Sequence, residues 1–334
     1  MSPESLEWFL LGAVPLYTRE ELADAASIEL PVARRYWRAL GFADTDDGQR
    51  YYTDADLEAL LSIKGLVDDG ALDADTAINL TRAFGRTLSR LAEWQVDSVM
   101  RQLTTAAPDG HVSAEVGFAV ARRLTPELEQ LMVYVWRRRV ALAVARAIQR
   151  ESDLPGHHMA VGFADLAGFT RWSRGLEDDA LAALVQTFEA RCGDVVASLG
   201  GRVVKTLGDE VLFVADSEQA GAETALQLVE ANAQDDSMPD LRVGVASGAV
   251  LTRMGDVFGT TVNLASRLTD LAQAGTVLVD ADTAAALAVE PRYSVHALDS
   301  RSVRGLGDVE PWLLSRSSRL AGGEAATSSP GQAD

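Results

Sequence analysis

Three features of this 334-residue sequence predict an α+β protein in two parts. Residues 1 to about 150 carry helix signals almost throughout. From Met159, strands and helices alternate as β-α-β-β-α-β and then α-β-β, the order of a ferredoxin-like split βαβ core with an appended unit. Between the two regimes stands a break at Pro155-Gly156.

In the first part, Thr18-Arg-Glu-Glu reads as a capping box, in which the Thr and the Glu three residues on satisfy each other's backbone N–H groups. It opens the helix EELADAAS. Pro31, in a first helical turn, opens VARRYWRAL, which ends at Gly41. ADTDDGQRYYTDADLEALLSI then gives a polar turn, a short strand-like QRYYT and another capped helix. Two helices follow, around 73–105 and 111–124, and Pro126 opens a long one that runs toward the Pro155-Gly156 break. The second part reads as a strand at 159–165, a helix at 177–199 and a hairpin at 202–206/210–214. A helix at 217–234, a strand at 241–251, a helix at 261–273 and a strand at 276–280 come next. A short helix and terminal strands at 292–297 and 301–315 complete it. The expected divisions are 1–125 (helical), 126–156 (connector helix and hinge), 157–316 (α+β) and 317–334, a tail without apolar periodicity read as disordered.

Composition narrows the classes. At 47% hydrophobic and 24% charged the chain reads as soluble, and its longest apolar helical stretch, Leu131–Ile148, is interrupted by Arg137, Arg138 and Arg139. No membrane span or signal peptide is expected, and the cytoplasm is the default address. One cysteine, Cys192, excludes an intramolecular disulfide and reads as a small buried apolar residue. The net charge of −19 opposes broad nucleic-acid binding. Only Lys64 and Lys205 are lysines, every other basic residue being Arg. A compact ammonium at 205, where this chain otherwise writes Arg, suits a tight pocket.

The chemistry-bearing residues cluster in the second part. Asp165 closes the apolar strand of AVGFADLAGFT, and Asp209 sits at the tip of the hairpin VVKTLGDEVLFV. Alone, the first could cap a helix and the second could be ordinary Gly-Asp turn chemistry. A split βαβ core lays the first strand beside this hairpin, so both carboxylates can face one site. Two hard carboxylates with no His or Cys nearby suit Mg²⁺ or Mn²⁺ better than Zn²⁺. Gly168 lets backbone N–H groups of Phe169 and Thr170 approach phosphates at a helix start. Asp256 lies in a Gly-flanked loop, GDVFG, and Asn263 and Arg267 are four apart on one helix and share a face. Asp165, Lys205, Asp209, Asp256, Asn263 and Arg267 together are the set that metal-assisted phosphoryl chemistry on a purine nucleotide requires.

FADLAGFT, KTLGDEVLF and GDVFGTTVNLASRL, in this order and spacing, resemble the catalytic domain of the class III adenylate and guanylate cyclases. The resemblance covers 159–315. It implies that Asp165 and Asp209 bind two metal ions, that Lys205 and Asp256 recognise adenine in the ATP-reading form, and that Asn263 orients the ribose. Arg267 would stabilise charge on the α-phosphate, and Arg304 in VRGLG resembles the basic residue that binds the terminal phosphates. The implied reaction is ATP to 3′,5′-cyclic AMP, at composite sites between the catalytic domains of a homodimer.

LYTREELADAASIELPVARRYWRALGFADTDDGQRYYTDADLEALLSI resembles a MerR-type winged helix-turn-helix, with VARRYWRAL as recognition helix. That resemblance implies Arg34, Arg35 and Arg38 against DNA phosphates. Asp44, Asp46 and Asp47 in the wing would repel a duplex, so a regulatory, non-DNA role is favoured. The alternative is a MerR-like DNA-binding regulator whose cyclase-like domain senses a nucleotide; Asp165, Asp209, Asn263 and Arg267 speak against it, since a sensor has no need of all four. His157 and His158, at the break, read as solvated loop residues rather than a pH-dependent hinge. Trp136 is open between core packing and a solvated stripe.

Overall fold

The helical half follows its capping signals. In this computed structural model residues 8–42, 48–107, 110–150, 157–253, 255–303, 305 and 307–317 are described, and two units separate, 1–147 and 148–334. The first contains α1 (Arg19–Ala25), α2 (Leu30–Leu40), α3 (Asp54–Asp68), α4 (Ala74–Ala106) and most of α5 (Ala114–Arg150). The Thr18 box is formed: Glu21 N–H donates to Thr18 Oγ1 at 3.2 Å and Thr18 N–H to the Glu21 carboxylate at 3.0 Å. Pro31 lies in the first turn of α2, and Gly41 ends the helix in the left-handed region at φ 89°.

Leu22, Ala33, Tyr36, Trp37, Tyr52 and Leu60 form the core of this unit, with Trp37 stacked on Tyr52 at 4.7 Å. α4 crosses α2 at Gly85, where a Cβ would come 2.5 Å from the Leu40 carbonyl oxygen. Arg35, which the winged-helix resemblance would set against DNA phosphates, lies 3.4 Å from Asp75 on α4. QRYYT is not a strand; only a bridge between Tyr17 and Tyr52 forms, and Tyr52 is buried in the core. Asp44, Asp46 and Asp47 lie outside the described residues.

Pro126 does not open a new helix. It lies inside α5, which runs unbroken from 114 to 150. The missing N–H removes one bond from a 37-residue ladder, and good helix formers on both sides carry the helix through. Trp136 is 52% exposed, which answers the core-or-stripe question in favour of the surface. No described helix is long and apolar enough to cross a membrane.

The second unit contains, in chain order, β1 (His157–Leu166), α6 (Phe169–Ser173), α7 (Asp178–Ser198), β2 (Arg202–Leu207), β3 (Glu210–Ala215) and α8 (Glu218–Asn232). Then come β4 (Leu241–Arg253), β5 (Asp256–Phe258), α9 (Thr260–Leu271), β6 (Val277–Val279), α10 (Ala281–Leu287), β7 (Tyr293–Ala297), β8 (Arg301–Val303), β9 (Gly307–Val309) and β10 (Trp312–Arg316). The sheet order is β2-β3-β1-β4-β6-β10-β7, with β5 paired to β4 and β8–β9 forming a separate hairpin. Its first four strands are the expected ferredoxin-like core, antiparallel throughout; β6 joins β4 in parallel and the terminal strands extend that edge.

Strand alternation assigns the two faces. Ala160, Ala164 and Leu166 of β1 pack with Phe188, Cys192, Ala222 and Leu228 of α7 and α8. Met159, Val161 and Phe163 pack with Ala265 and Leu268 of α9. Gly244 admits α9 against β4, since a Cβ there would lie 2.3 Å from Thr269 N. Thr269 Oγ1 then donates to the Phe163 carbonyl at 3.2 Å.

Two local expectations change. Asp256 is not in a loop: β5 continues the chain back along the end of β4, Arg253 opposite Asp256. His157 and His158 are not loop residues but the first residues of β1, paired with Val250 and Ala249, and His158 Nε2 lies 2.7 Å from Glu218 Oε1. Pro155, Gly156 and the tail from 318 lie outside the described residues. Cys192 is fully buried, and burial pushes its thiol up to about 12.

Candidate active site

Alternation along β1 puts Asp165 on the α9 face, at the strand's C-terminal end. Across the sheet it stands opposite Glu210 on β3 and Arg242 on β4. Leu166 N–H donates to the Asp209 carbonyl at 3.1 Å, tying the tip of the β2–β3 hairpin to the end of β1. The two carboxylates expected to share a site are thus at one end of the sheet.

Asp165 is 8% exposed, and both Nε and Nη2 of Arg242 approach its Oδ2 to 2.6 Å. Burial raises its pKa, and the charges of Asp209 and Asp270 add to this against the opposing effect of Arg242. Glu210 is pushed up to about 7, by burial first and then by Asp165, Asp270 and Asp209. Sequence reasoning missed Glu210, Arg242 and Asp270. The only signal for Arg242 was a lone cation near the start of an apolar strand; its partner becomes visible only through strand register.

Among the described residues, no three His, Cys, Asp or Glu side chains are already arranged around a metal position. The donor chemistry nevertheless fits a hard divalent cation. Asp165 and Asp209 offer oxygen only, and their neighbourhood carries more carboxylates than Arg242 can neutralise.

Lys205 reaches the same face by a β-bulge. Val203 stands opposite Phe213, but the register shifts and Lys205 stands opposite Leu212, which belongs to the α9 side. Without the shift, Lys205 would follow Val203 onto the other face. Leu212 in turn pairs with Phe163, two residues from Asp165. Lys205 Nζ donates to Asp256 Oδ2 at 2.7 Å. Burial works against the charged form of Asp256, but the bonds from Lys205 and from the Val257 N–H hold its carboxyl below the usual value.

Asn263 and Arg267 stand one turn apart on α9, both exposed, and Arg267 Nη1 donates to Asp270 Oδ2 at 2.9 Å. Gly168, at φ 71°, precedes α6; Phe169 packs against the core and Thr170 is exposed. Arg304 lies outside the described residues.

Residues 155–316 match the family model described as "Adenylate and Guanylate cyclase catalytic domain". A Streptomyces coelicolor protein named "Adenylate cyclase" is 46% identical over 348 residues, covering 96% of this chain and 91% of the relative. A Streptomyces griseus protein of the same name is 43% identical, covering 93% and 88%. A third of that name, from Glutamicibacter nicotianae, is 39% identical, covering 93% and 81%.

Proposed function

The chain is an enzyme of the adenylate and guanylate cyclase family, and on that premise we propose that it converts ATP to 3′,5′-cyclic AMP and pyrophosphate as a cytoplasmic homodimer regulated by its N-terminal half. The observation that carries the choice of ATP is the Lys205–Asp256 pair, 2.7 Å apart on the face that holds Asp165. An ammonium and a carboxylate side by side match the adenine edge, which presents a ring-nitrogen acceptor beside an amino donor. The names of the three relatives support the same choice.

Asp165 and Asp209 would hold two divalent ions, Mg²⁺ or Mn²⁺, which when bound would supply Lewis acidity at the ribose 3′-OH and positive charge beside the phosphates. Asn263 fixes the ribose so that its 3′ oxygen lies in line with the α-phosphorus. Arg267, released from Asp270, meets the negative charge that grows on the α-phosphate oxygens in the transition state. Backbone N–H groups of Phe169 and Thr170, admitted by the left-handed Gly168, and the Arg304 guanidinium hold the remaining phosphates. Lys205, Asp256, Asn263 and Arg267 of one protomer complete the site around Asp165 and Asp209 of the other.

The N-terminal unit acts through regulation rather than DNA. The −19 net charge and the engagement of Arg35 with Asp75 both weaken a phosphate-binding face on α2. A gel shift on fragment 1–125 checks this, and a retarded band would restore the DNA-binding regulator.

The test of the whole reading is incubation of the full chain with ATP or GTP and Mn²⁺ or Mg²⁺, with cyclic nucleotide as readout. Cyclic AMP from ATP, lost in Asp209→Ala, is expected. No product from the full chain or from fragment 150–334 would sink the proposal.

A further inference from the structure

We propose that Arg242 is the resident counter-ion of the metal-free site: it occupies Asp165 until a divalent cation displaces it, and therefore weakens metal binding. The inference rests on the reading of Asp165 as a metal ligand and adds a residue that opposes it.

Three observations carry it. First, both guanidinium nitrogens of Arg242 that face Asp165 converge on one oxygen, Oδ2, at 2.6 Å. Charge-assisted bonds of that length engage the lone pairs of Oδ2, and the guanidinium charge beside the carboxylate opposes a cation at either of its oxygens. Second, the pair is shielded. The side chains of Arg242 and Asp165 are only 29% and 12% exposed, so solvent and salt screen their attraction little. Third, Arg242 is held from a second side, because its Nη1 donates to the Asp270 carbonyl at 3.3 Å, at the end of α9.

The surroundings explain why a cation can still win. Asp209 and Asp270 both place negative charge near Asp165, with Glu210 opposite it on β3; Arg242 is the cation bonded to Asp165, while Arg267 pairs with Asp270. A divalent ion brings twice the charge of one guanidinium to this excess of carboxylates. Arg242 then has acceptors to move to, since the Asp270 carbonyl is already in contact and Glu210 stands in the same cross-strand row. Metal entry and Arg242 departure are one exchange. The apparent affinity for the ion is the intrinsic affinity scaled by the fraction of molecules in which Asp165 is free.

Calorimetric titration of the full chain with Mn²⁺ at pH 8, without nucleotide, tests this. If Arg242 holds Asp165 in about nine molecules of ten, Arg242→Met binds Mn²⁺ about tenfold more tightly than the natural chain. Arg242→Lys, which keeps charge but cannot converge two donors on one oxygen, falls between them. Asp165→Asn loses the site. A mere structural role for Arg242 gives the opposite sign, weaker binding on substitution. Equal or weaker binding by Arg242→Met, with near-ultraviolet circular dichroism unchanged, overturns the proposal. Should the Met variant fail to fold, the Lys variant decides, and affinity at or below the natural value overturns it equally. Mn²⁺ binding that survives Asp165→Asn overturns both the proposal and the metal-site reading beneath it.

Discussion

Lys205 and Asp256, 51 positions apart in sequence, form an ion pair at 2.7 Å that joins the edge strand β2 to β5. Their side chains are 40% and 31% exposed. A pair so open contributes at most about 1 kcal/mol to folding. The two groups are thus prealigned with each other at little energetic commitment, and a base edge with complementary donors and acceptors can take them over.

Lys205→Met is expected to lower kcat/KM for ATP by about 10- to 100-fold and to narrow the preference for ATP over GTP, because the remaining Asp256 is left unpaired against the base. The midpoint of thermal unfolding should barely move. Steady-state kinetics with both nucleotides, beside a melting curve, check the separation of the two effects.

The proposed composite sites make a quantitative prediction. Asp209→Ala and Arg267→Ala chains should each be inactive alone. Mixed in equal amounts under conditions that allow exchange, they should recover about a quarter of natural activity, since half the dimers are mixed and each has one intact site of two. Absence of recovery, with mixed dimers demonstrated by differential tagging, counts against sites shared between protomers.

Gly244→Ala should disturb chemistry from a distance. The new Cβ would meet Thr269 N at 2.3 Å and Ala265 O at 2.5 Å, both backbone atoms of α9 that cannot swing aside. Overpacking of this kind costs about 1–3 kcal/mol. It also displaces the helix that presents Asn263 and Arg267. Loss of both denaturation midpoint and kcat is expected, and retention of full kcat would show that α9 does not position these groups.

The Arg316 fork holds Glu223 below the usual carboxylate value against the effect of burial, with Gln227 and Tyr293 adding hydrogen bonds. A depressed folded pKa means that the unfolded chain binds the proton more readily. The stabilisation is therefore complete above the unfolded value, near 4.3, and is lost as pH falls through the lower folded value. Arg316→Ala should cost about 1 kcal/mol at pH 7, allowing for its partial exposure. Urea denaturation from pH 7 to pH 3 should show that difference shrinking below about pH 4.

With its thiol pushed up to about 12 by burial, Cys192 should resist iodoacetamide in the native protein at pH 8 and react fully in denaturant. Rapid native labelling would mean that α7 opens readily from the sheet.

Most of the architecture was legible because strand alternation and helix caps are local signals. Thr18, Pro31 and Gly41 each act within a few residues, and all three perform as their chemistry dictates. What escaped depends on partners distant in sequence. Arg242 and Glu210 look like surface residues until β1 is laid between β3 and β4, and the shift of register that turns Lys205 to the Asp165 side follows from pairing, not composition. Pro126 escaped for the opposite reason: its local preference was overridden by the long helix around it. Asp256 was read as part of a Gly-flanked loop, because a three-residue strand is too short for alternation to reveal.

Asp165 lies on β1, flanked on both sides by paired strands, whereas Lys205 lies on the outermost strand of the sheet and Asp256 on β5, off its main path. This separates two kinds of mutational risk. A change at the rim, where the proposed reading puts recognition of the base, leaves the packed interior almost untouched, while a change at the middle disturbs buried charge. On the proposed roles, a lineage built on this frame can exchange one nucleotide for another in small, individually tolerated steps, yet has little freedom to alter the bond it makes.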